Sequence, residues 1–338
     1  MAQVRFSFKL NVHGQRPGTP FQTFLDEACL AEDLGFHGVY VIDHMYLPTD
    51  RLAGYTNADP EVPYFLDCWT TLAAVATVTK RVRLGPQVTP IGLRHPAFVA
   101  KWGATVDQIS AGRLDLGVGL GHQEVEYSSY GFDYPPFKAR YQRMLEGVEI
   151  IHRLWTEREP LTFEGNHYQI RDVSFWPKPV QNPRPPFWFG GTSPSIQRAV
   201  ARWGDGWAPA APQAGGLDVD FYRNSIESIR ESARAQGRIE SVGAGALFYI
   251  AISEDRGSLD RVVEMLRRRK DWEALPREDL TERGPIVMGT PEEVVVALKR
   301  YATAGVEHFT LGFVPLDDHE AIRKGMLLFA DKVLPAFA

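Results

Sequence analysis

Apolar residues along this chain fall into short runs that alternate with longer, periodically apolar segments. The run at 38–42, GVYVI, is continuously apolar and stops at the charged Asp43. Such a run is typical of a strand buried on both faces of a parallel sheet. The same pattern, with some alternation of apolar and polar positions, predicts eight strands. They cover residues 4–10, 38–42, 82–88, 113–119, 187–190, 206–210, 243–252 and 308–313.

Segments with a helical period separate these strands. At 140–156, for example, Leu145, Val148 and Ile151 recur near one stripe of a helix. Eight strand–helix units in series predict an α/β fold, a (β/α)8 TIM barrel in a single domain spanning 1–338. The other predicted helices are 20–34, 66–79, 95–110, 193–203, 219–236, 258–270, 291–304 and a last helix over 318–329.

Three segments are longer than the connections between strands and helices of a barrel need to be. We expect insertions at about 45–65, 157–185 and 271–289, and the second, rich in proline and without helical period, is read as a hairpin. A doubly wound open sheet is the alternative architecture. No G-x-G-x-x-G fingerprint connects a predicted strand to a helix, which favours the barrel.

Composition narrows the class of protein. The chain has 338 residues, 44% hydrophobic and 23% charged, which suits a globular protein with a sizeable core. A net charge of -5 gives no basic surface for nucleic acid. No 18-residue apolar span and no signal-peptide core are present, so no membrane segment is expected. The two cysteines, Cys29 and Cys68, fit free thiols in a reducing cytoplasm.

Polar residues stand where several predicted strands end. The second strand ends in Asp43 and His44, and the third in Gln87 and Thr89. Carboxyl ends of parallel strands carry the chemistry of such barrels, so these residues are site candidates. The alternative is structural: an Asp after a strand often caps the next helix, and the His beside it fills space. The fourth strand ends similarly, in Gly119, Gly121 and His122, followed by Glu126.

The fifth strand ends in Gly190, Gly191, Thr192 and Ser193, directly before a helix. Two glycines let backbone N–H groups approach an anion, and a helix N-terminus favours negative charge, so a phosphate is the natural ligand. The alternative is that Ser193 only caps the helix and the glycines only make the turn.

A metal site at the barrel mouth is a further possibility raised by the histidines. His95 and His122 could join Asp43 and His44 there. However, no His-x-His pair lies on the first strand, and no helix carries two His four residues apart. We therefore predict no bound metal.

Taken together, these motifs resemble the bacterial luciferase-like monooxygenase superfamily. The resemblance rests on DHMYLP at 43–48, LGPQVTPIGLRHPAFVAK at 84–101, GRLDLGVGLGHQEVEYSSYG at 112–131, ARYQRMLEGVEIIHRLW at 139–155 and GGTSPSIQRAVARWGDGW at 190–207. It implies a TIM barrel that binds FMN or the deazaflavin coenzyme F420. The Asp-His ending of the second strand is most similar to the deazaflavin-dependent branch.

Within that branch, the resemblance assigns residue roles. It implies that His44 lies beside the reactive ring carbon, and that a non-proline cis peptide at Gln87–Val88 forms a bulge behind the ring. The phosphate contacts match Gly190, Gly191 and Thr192. Some sugar-phosphate dehydrogenases of this branch have Glu where this chain has His122, so the match does not extend to a sugar-phosphate substrate.

We therefore expect a homodimeric oxidoreductase that transfers a hydride between F420 and a small organic substrate. His44 is the expected catalytic acid/base, with Asp43 holding its tautomer or contacting the ring. The alternatives are an FMN-dependent monooxygenase using O2, a metal-dependent hydrolase, and a flavin-binding protein without activity. The expected cofactor-binding residues are Asp43, Gln87, Val88, Thr89, Gly119, Gly121, His122, Gly190, Gly191 and Thr192; Glu126, Tyr46, Tyr55, Trp69 and Trp176 are further pocket candidates.

Overall fold

Parallel strands form a nearly closed barrel surrounded by helices in a computed structural model of this chain. The structure describes residues 3–57, 62, 64–210, 218–238, 242–269, 272–276, 280 and 286–338. The strands are β1 Arg5–Leu10, β2 Gly38–Val41, β3 Arg83–Pro86, β4 Thr89–Pro90, β5 Leu116–Gly119, β6 Leu161–Glu164, β7 Gln169–Val173, β8 Phe187–Phe189, β9 Gly206–Trp207, β10 Gly243–Ile252, β11 Ile286–Gly289 and β12 His308–Phe313.

The strand order around the barrel is β3-β2-β1-β12-β10-β9-β8-β5-β4, with every pairing parallel. A parallel bridge between Leu84 of β3 and Leu114, two residues before β5, closes the barrel next to the β4–β5 pairing. β3 and β4 are therefore two halves of one barrel strand. The carboxyl ends of the strands then meet at one mouth, as the TIM-barrel prediction requires.

Helices cover the outside of the barrel. Their apolar faces and the outward-facing residues of the strands form one core, in which Phe8, Phe36 and Phe313 pack together. The helices are Phe21–Asp33, Thr49–Leu52, Cys68–Val78, Pro96–Ser110, Glu124–Ser129, Phe137–Thr156, Pro194–Trp203, Val219–Ala235, Arg256–Leu266, Pro291–Thr303 and His319–Lys332. Among the described residues, no helix is both long and apolar enough to cross a membrane.

The predicted barrel and its eight strands are confirmed, although several strands are shorter than the sequence pattern predicted. The hairpin predicted within 157–185 is the antiparallel pair β6–β7. One strand, β11, was not predicted, because it lies in the segment 271–289, which has no regular apolar pattern. It pairs with the carboxyl-terminal half of β10. Parts of 45–65 and 271–289 lie outside the described residues.

Candidate active site

His44 follows β2 and points into the barrel mouth. Tyr40 of β2 lines a cavity inside the barrel. His44 lies beyond the end of β2 at Val41, and its ring contacts Glu126 and His122, which follow β5. Its Nδ1 lies 3.0 Å from Oε2 of Glu126. Its side chain is 19% exposed, and its Nε2 has no hydrogen-bond partner among the described residues. The imidazole is thus fixed at one nitrogen and available at the other.

Glu126 is the residue that holds this imidazole. It lies in the short helix Glu124–Ser129 after β5 and is 1% exposed. Its Oε1 accepts hydrogen bonds from the backbone N–H of Met45, at 2.5 Å, and of Tyr46, at 3.4 Å. The same carboxylate therefore binds the imidazole and the first residues of the loop that follows His44.

Among the described residues, Asp43 makes no hydrogen bond with His44, which corrects the expectation that it holds the tautomer; its contact with the coenzyme ring stays a prediction. Its carboxylate is 1% exposed and accepts hydrogen bonds from Thr89 Oγ1 and Arg94 Nη2, both at 2.9 Å. Burial raises the pKa of Asp43, an effect that Arg94 and Thr89 partly oppose. Asp43 therefore ties the end of β2 to β4 and to the segment that follows, from behind the mouth.

The bond between Gln87 and Val88 is a cis peptide, as the resemblance implies, and it separates β3 from β4. The Val88 side chain projects against glycines of the next two strands. A Cβ placed on Gly119 would overlap Val88 Cγ2, and one on Gly190 would lie 3.0 Å from both Val88 methyl groups. The absence of side chains at Gly119 and Gly190 is thus explained by the space that Val88 needs.

Gln87 points into the barrel interior below the mouth. It lines the same cavity as Tyr40, Trp188 and His308. Its Oε1 is buried and has no hydrogen-bond partner among the described residues. A buried acceptor without a donor is uncommon, so this oxygen suits a ligand or a water molecule.

The loop from Gly121 to Gln123 brings His122 beside His44. The two imidazole rings lie 5.8 Å apart, edge to face. Gly121 has φ +72°, and any Cβ there would overlap the Tyr127 hydroxyl. Arg140 donates to the Gly121 carbonyl, and the Tyr134 hydroxyl donates to the His122 carbonyl at 3.2 Å. Glycine is required at this turn, and its neighbours fix the loop against the mouth.

The segment 190–193 forms a turn before the helix Pro194–Trp203. Gly191 has φ +99°, and its carbonyl accepts from Trp207 Nε1 at 2.8 Å. Ser193 caps the helix through its hydroxyl, which accepts from the N–H of Ile196 at 3.4 Å. Among the described residues, no hydrogen bond uses the N–H of Gly191 or of Thr192. The turn therefore offers two backbone donors at a helix start in addition to the predicted cap.

A row of polar residues on β1 and its extension lies beside His44 inside the barrel. Lys9 is 1% exposed, and its Nζ lies 2.9 Å from Asn11 Oδ1 and 3.4 Å from His13 Nε2. Burial lowers the pKa of Lys9 to about 7. Burial also lowers the pKa of His13 well below its ordinary value, and the charges of Lys9 and His44 lower it further. The sequence does not single out this row, because Lys9 falls on a polar position of a strand that alternates polar and apolar residues.

The remaining candidates have other places in the fold. Trp69 is buried in the core against Trp102, and Tyr55 is buried against Tyr249 in a smaller, separate cluster. Trp176 is 61% exposed on the surface. The described part of the chain contains no group of three His, Cys, Asp or Glu side chains arranged to hold a metal ion.

Comparisons with known proteins agree with this architecture. The F420-dependent glucose-6-phosphate dehydrogenase of Amycolatopsis mediterranei is 29% identical over 334 residues, covering 92% of this chain and 93% of that enzyme. The enzyme of the same name from Intrasporangium calvum is 31% identical over 315 residues, covering 87% and 89%.

A solved structure has the same fold. The F420-dependent secondary alcohol dehydrogenase in complex with an F420-acetone adduct superimposes with a TM-score of 0.81 at 22% identity, covering 99% of both chains. The family model for luciferase-like monooxygenases matches residues 4–308, which is most of the chain. This protein therefore belongs to the luciferase-like monooxygenase family.

Proposed function

We propose that this protein is an F420-dependent oxidoreductase that transfers a hydride between coenzyme F420 and a small organic substrate. The observation that carries the proposal is the His44–Glu126 pair at the barrel mouth, with Nε2 of the imidazole left open. Two relatives, 29% and 31% identical over about nine-tenths of their length, are F420-dependent glucose-6-phosphate dehydrogenases.

The residues present fit a phosphorylated deazaflavin. Gly191 and Thr192 offer backbone N–H donors without partners among the described residues, at the start of the helix Pro194–Trp203. Such a helix start binds phosphate oxygens through N–H groups and the helix dipole. Val88 offers an apolar surface for one face of a ring, and Gln87 Oε1 is a buried acceptor in need of a donor. Gly119 leaves room for Val88, and we propose that Gly121 and His122, beside His44, also contact the coenzyme.

Each residue of the mouth then has a defined task. The deazaflavin, when bound, supplies the hydride carrier. His44 takes the proton of a substrate alcohol at Nε2, or returns it to a carbonyl oxygen in the reverse direction. Asp43, Thr89 and Arg94 keep the ends of β2 and β4 at a fixed separation. A rigid mouth lowers the cost of orienting the substrate.

The relatives act on glucose 6-phosphate, but this chain differs beside the catalytic histidine. His122 packs edge to face against His44, where some sugar-phosphate dehydrogenases of this type have a carboxylate. An imidazole can donate a hydrogen bond to a substrate oxygen, whereas an ionised carboxylate can only accept one. We therefore propose a small alcohol or carbonyl compound as substrate, without restricting it to a sugar phosphate.

We also propose that the protein works as a homodimer in the cytoplasm. Phe98 is 61% exposed and stacks on Trp102 along the outside of the helix Pro96–Ser110, where Ile109 is 43% exposed. An apolar strip of this kind suits burial against a second copy. Cys29 and Cys68 are free thiols, in keeping with a reducing compartment. Light scattering of the purified protein measures the dimer directly.

Turnover with and without oxygen tests the proposed reaction. Purified protein loaded with F420 should interconvert alcohols and carbonyl compounds equally well in anaerobic and in air-equilibrated buffer, with one F420 reduced or oxidised per substrate. A deazaflavin reacts poorly with oxygen, so oxygen consumption should be absent. Activity that requires O2 and reduced FMN would instead assign the protein to the monooxygenases.

A further inference from the structure

We propose that Glu126 is a positioning residue that fixes His44 in the tautomer with hydrogen on Nδ1, so that Nε2 is the atom that exchanges a proton with substrate. This inference rests on the proposed function for its chemical meaning. Its geometric basis, the 3.0 Å contact between Glu126 Oε2 and His44 Nδ1, is independent of any coenzyme.

The protonation pattern follows from the partners of each carboxylate oxygen. Oε1 accepts from the backbone N–H groups of Met45 and Tyr46, and these donors stabilise negative charge on the carboxylate. An ionised carboxylate only accepts hydrogen bonds, so Nδ1 of His44 has to be the donor to Oε2. In a neutral imidazole the other nitrogen is then an acceptor, which is what a base for an alcohol proton requires.

Position in the fold makes this pair rigid. Glu126 is 1% exposed, and the aromatic ring of Tyr127 beside it is fully buried. The same carboxylate fastens the loop that begins at Met45, so the orientation of His44 and the course of that loop are set together. A carboxylate that orients an imidazole in this way also stabilises the imidazolium that forms when the proton arrives.

Glu126→Gln separates the positioning role from a merely structural one. Glutamine has the same shape, and its carbonyl oxygen can still accept from the backbone of Met45. Its amide group then faces His44 as a donor, which forces the imidazole into the opposite tautomer with hydrogen on Nε2. We expect kcat to fall by about 100-fold or more, while the affinity for F420 changes by less than about 3-fold.

Glu124→Gln is the matched control. Glu124 lies in the same short helix, is exposed, and loses the same charge in the variant. Its kcat should stay within about 2-fold of the wild type, because a distant exposed charge contributes little to a fixed geometry. A fall in kcat equal to that of Glu126→Gln would assign the effect to net charge and overturn the inference.

NMR of coenzyme-free protein with labelled histidine measures the tautomer of His44 without an activity assay. The ring-nitrogen shifts of His44, assigned by the signal missing in His44→Ala, should report hydrogen on Nδ1 in the wild type and on Nε2 in Glu126→Gln. A wild-type His44 with hydrogen on Nε2, or an unchanged kcat in Glu126→Gln, overturns the inference. Because the tautomer is measured without F420, this experiment tests the role of Glu126 even if the protein fails to bind that coenzyme.

Discussion

At the residue scale, the function depends on His44 being both rigidly placed and chemically available. A positioned acid/base group typically contributes about 100- to 10,000-fold in rate. His44→Ala should lower kcat by that order, while the affinity for F420 changes only a few-fold. His44→Asn keeps a donor but cannot titrate, so near-normal kcat in that variant would indicate polarisation of the substrate without proton transfer. A lower melting temperature with full kcat in the folded fraction of His44→Ala would contradict the catalytic role.

A second prediction at this scale concerns the turn at Gly191. Its φ of +99° and the adjacent N–H groups suit close approach of a phosphate. Gly191→Val should weaken F420 binding by about 10-fold or more in a fluorescence titration, because a side chain strains the turn and blocks that approach. Gly237→Val is the control: Gly237 has φ +77° with open space around it, at the end of a helix remote from the mouth. Equal losses of affinity in both variants would exclude the phosphate site.

At the element scale, strands could be predicted from the sequence and the contacts between distant strand ends could not. The buried run before Asp43 predicted β2, and alternating apolar residues predicted β1, because burial imposes these patterns locally. β11 has only four residues and follows an irregular segment, so no pattern marked it. Glu126 reaches His44 across 82 residues of chain, and only the closure of the barrel brings the two together. Asp43 was predicted to hold the His44 tautomer or to contact the ring, but its carboxylate binds Thr89 and Arg94, contacts that no local pattern shows.

The close packing of Val88 against Gly119 gives a prediction for the barrel wall. Gly119→Ala should lower the free energy of unfolding by about 1–3 kcal/mol, because its methyl group overlaps Val88. It should also weaken F420 binding, because Val88 then leaves its place behind the ring. Adding Val88→Ala should recover most of the stability, since the smaller side chain makes room for the methyl group. Losses that simply add in the double variant would show that Val88 and Gly119 do not share this space.

At the scale of the whole molecule, the barrel interior holds a lysine without an acidic partner within reach among the described residues. Lys9 is fully buried, and among the described residues its ammonium group contacts Asn11 Oδ1, His13 Nε2 and the face of Tyr249, 5.2 Å away. Burial lowers its pKa to about 7 from an ordinary value of 10.5. The folded state therefore binds fewer protons than the unfolded state between these two values, and stability should rise with pH in that window.

The substitution Lys9→Met tests whether burial lowers the pKa of Lys9. Below about pH 7 the wild type carries the full cost of a buried ammonium group, so the variant should gain most there and progressively less towards pH 10. Urea unfolding of both proteins at about pH 6 and about pH 9 measures the difference. Lys138→Met, at an exposed position, serves as the control and should show no such trend. A difference between wild type and Lys9→Met that is the same at both pH values would contradict the lowered pKa.

The central claim for the molecule is that its mouth is built for a deazaflavin coenzyme. A fluorescence titration of the purified protein with F420 and, in parallel, with FMN tests it most directly. We expect saturable binding of F420 at one site per chain, at least about 10-fold tighter than binding of FMN. Binding of F420 should be weakened by Gly191→Val and nearly unchanged by His44→Ala. Tighter binding of FMN, or no saturable binding of F420, would contradict the account.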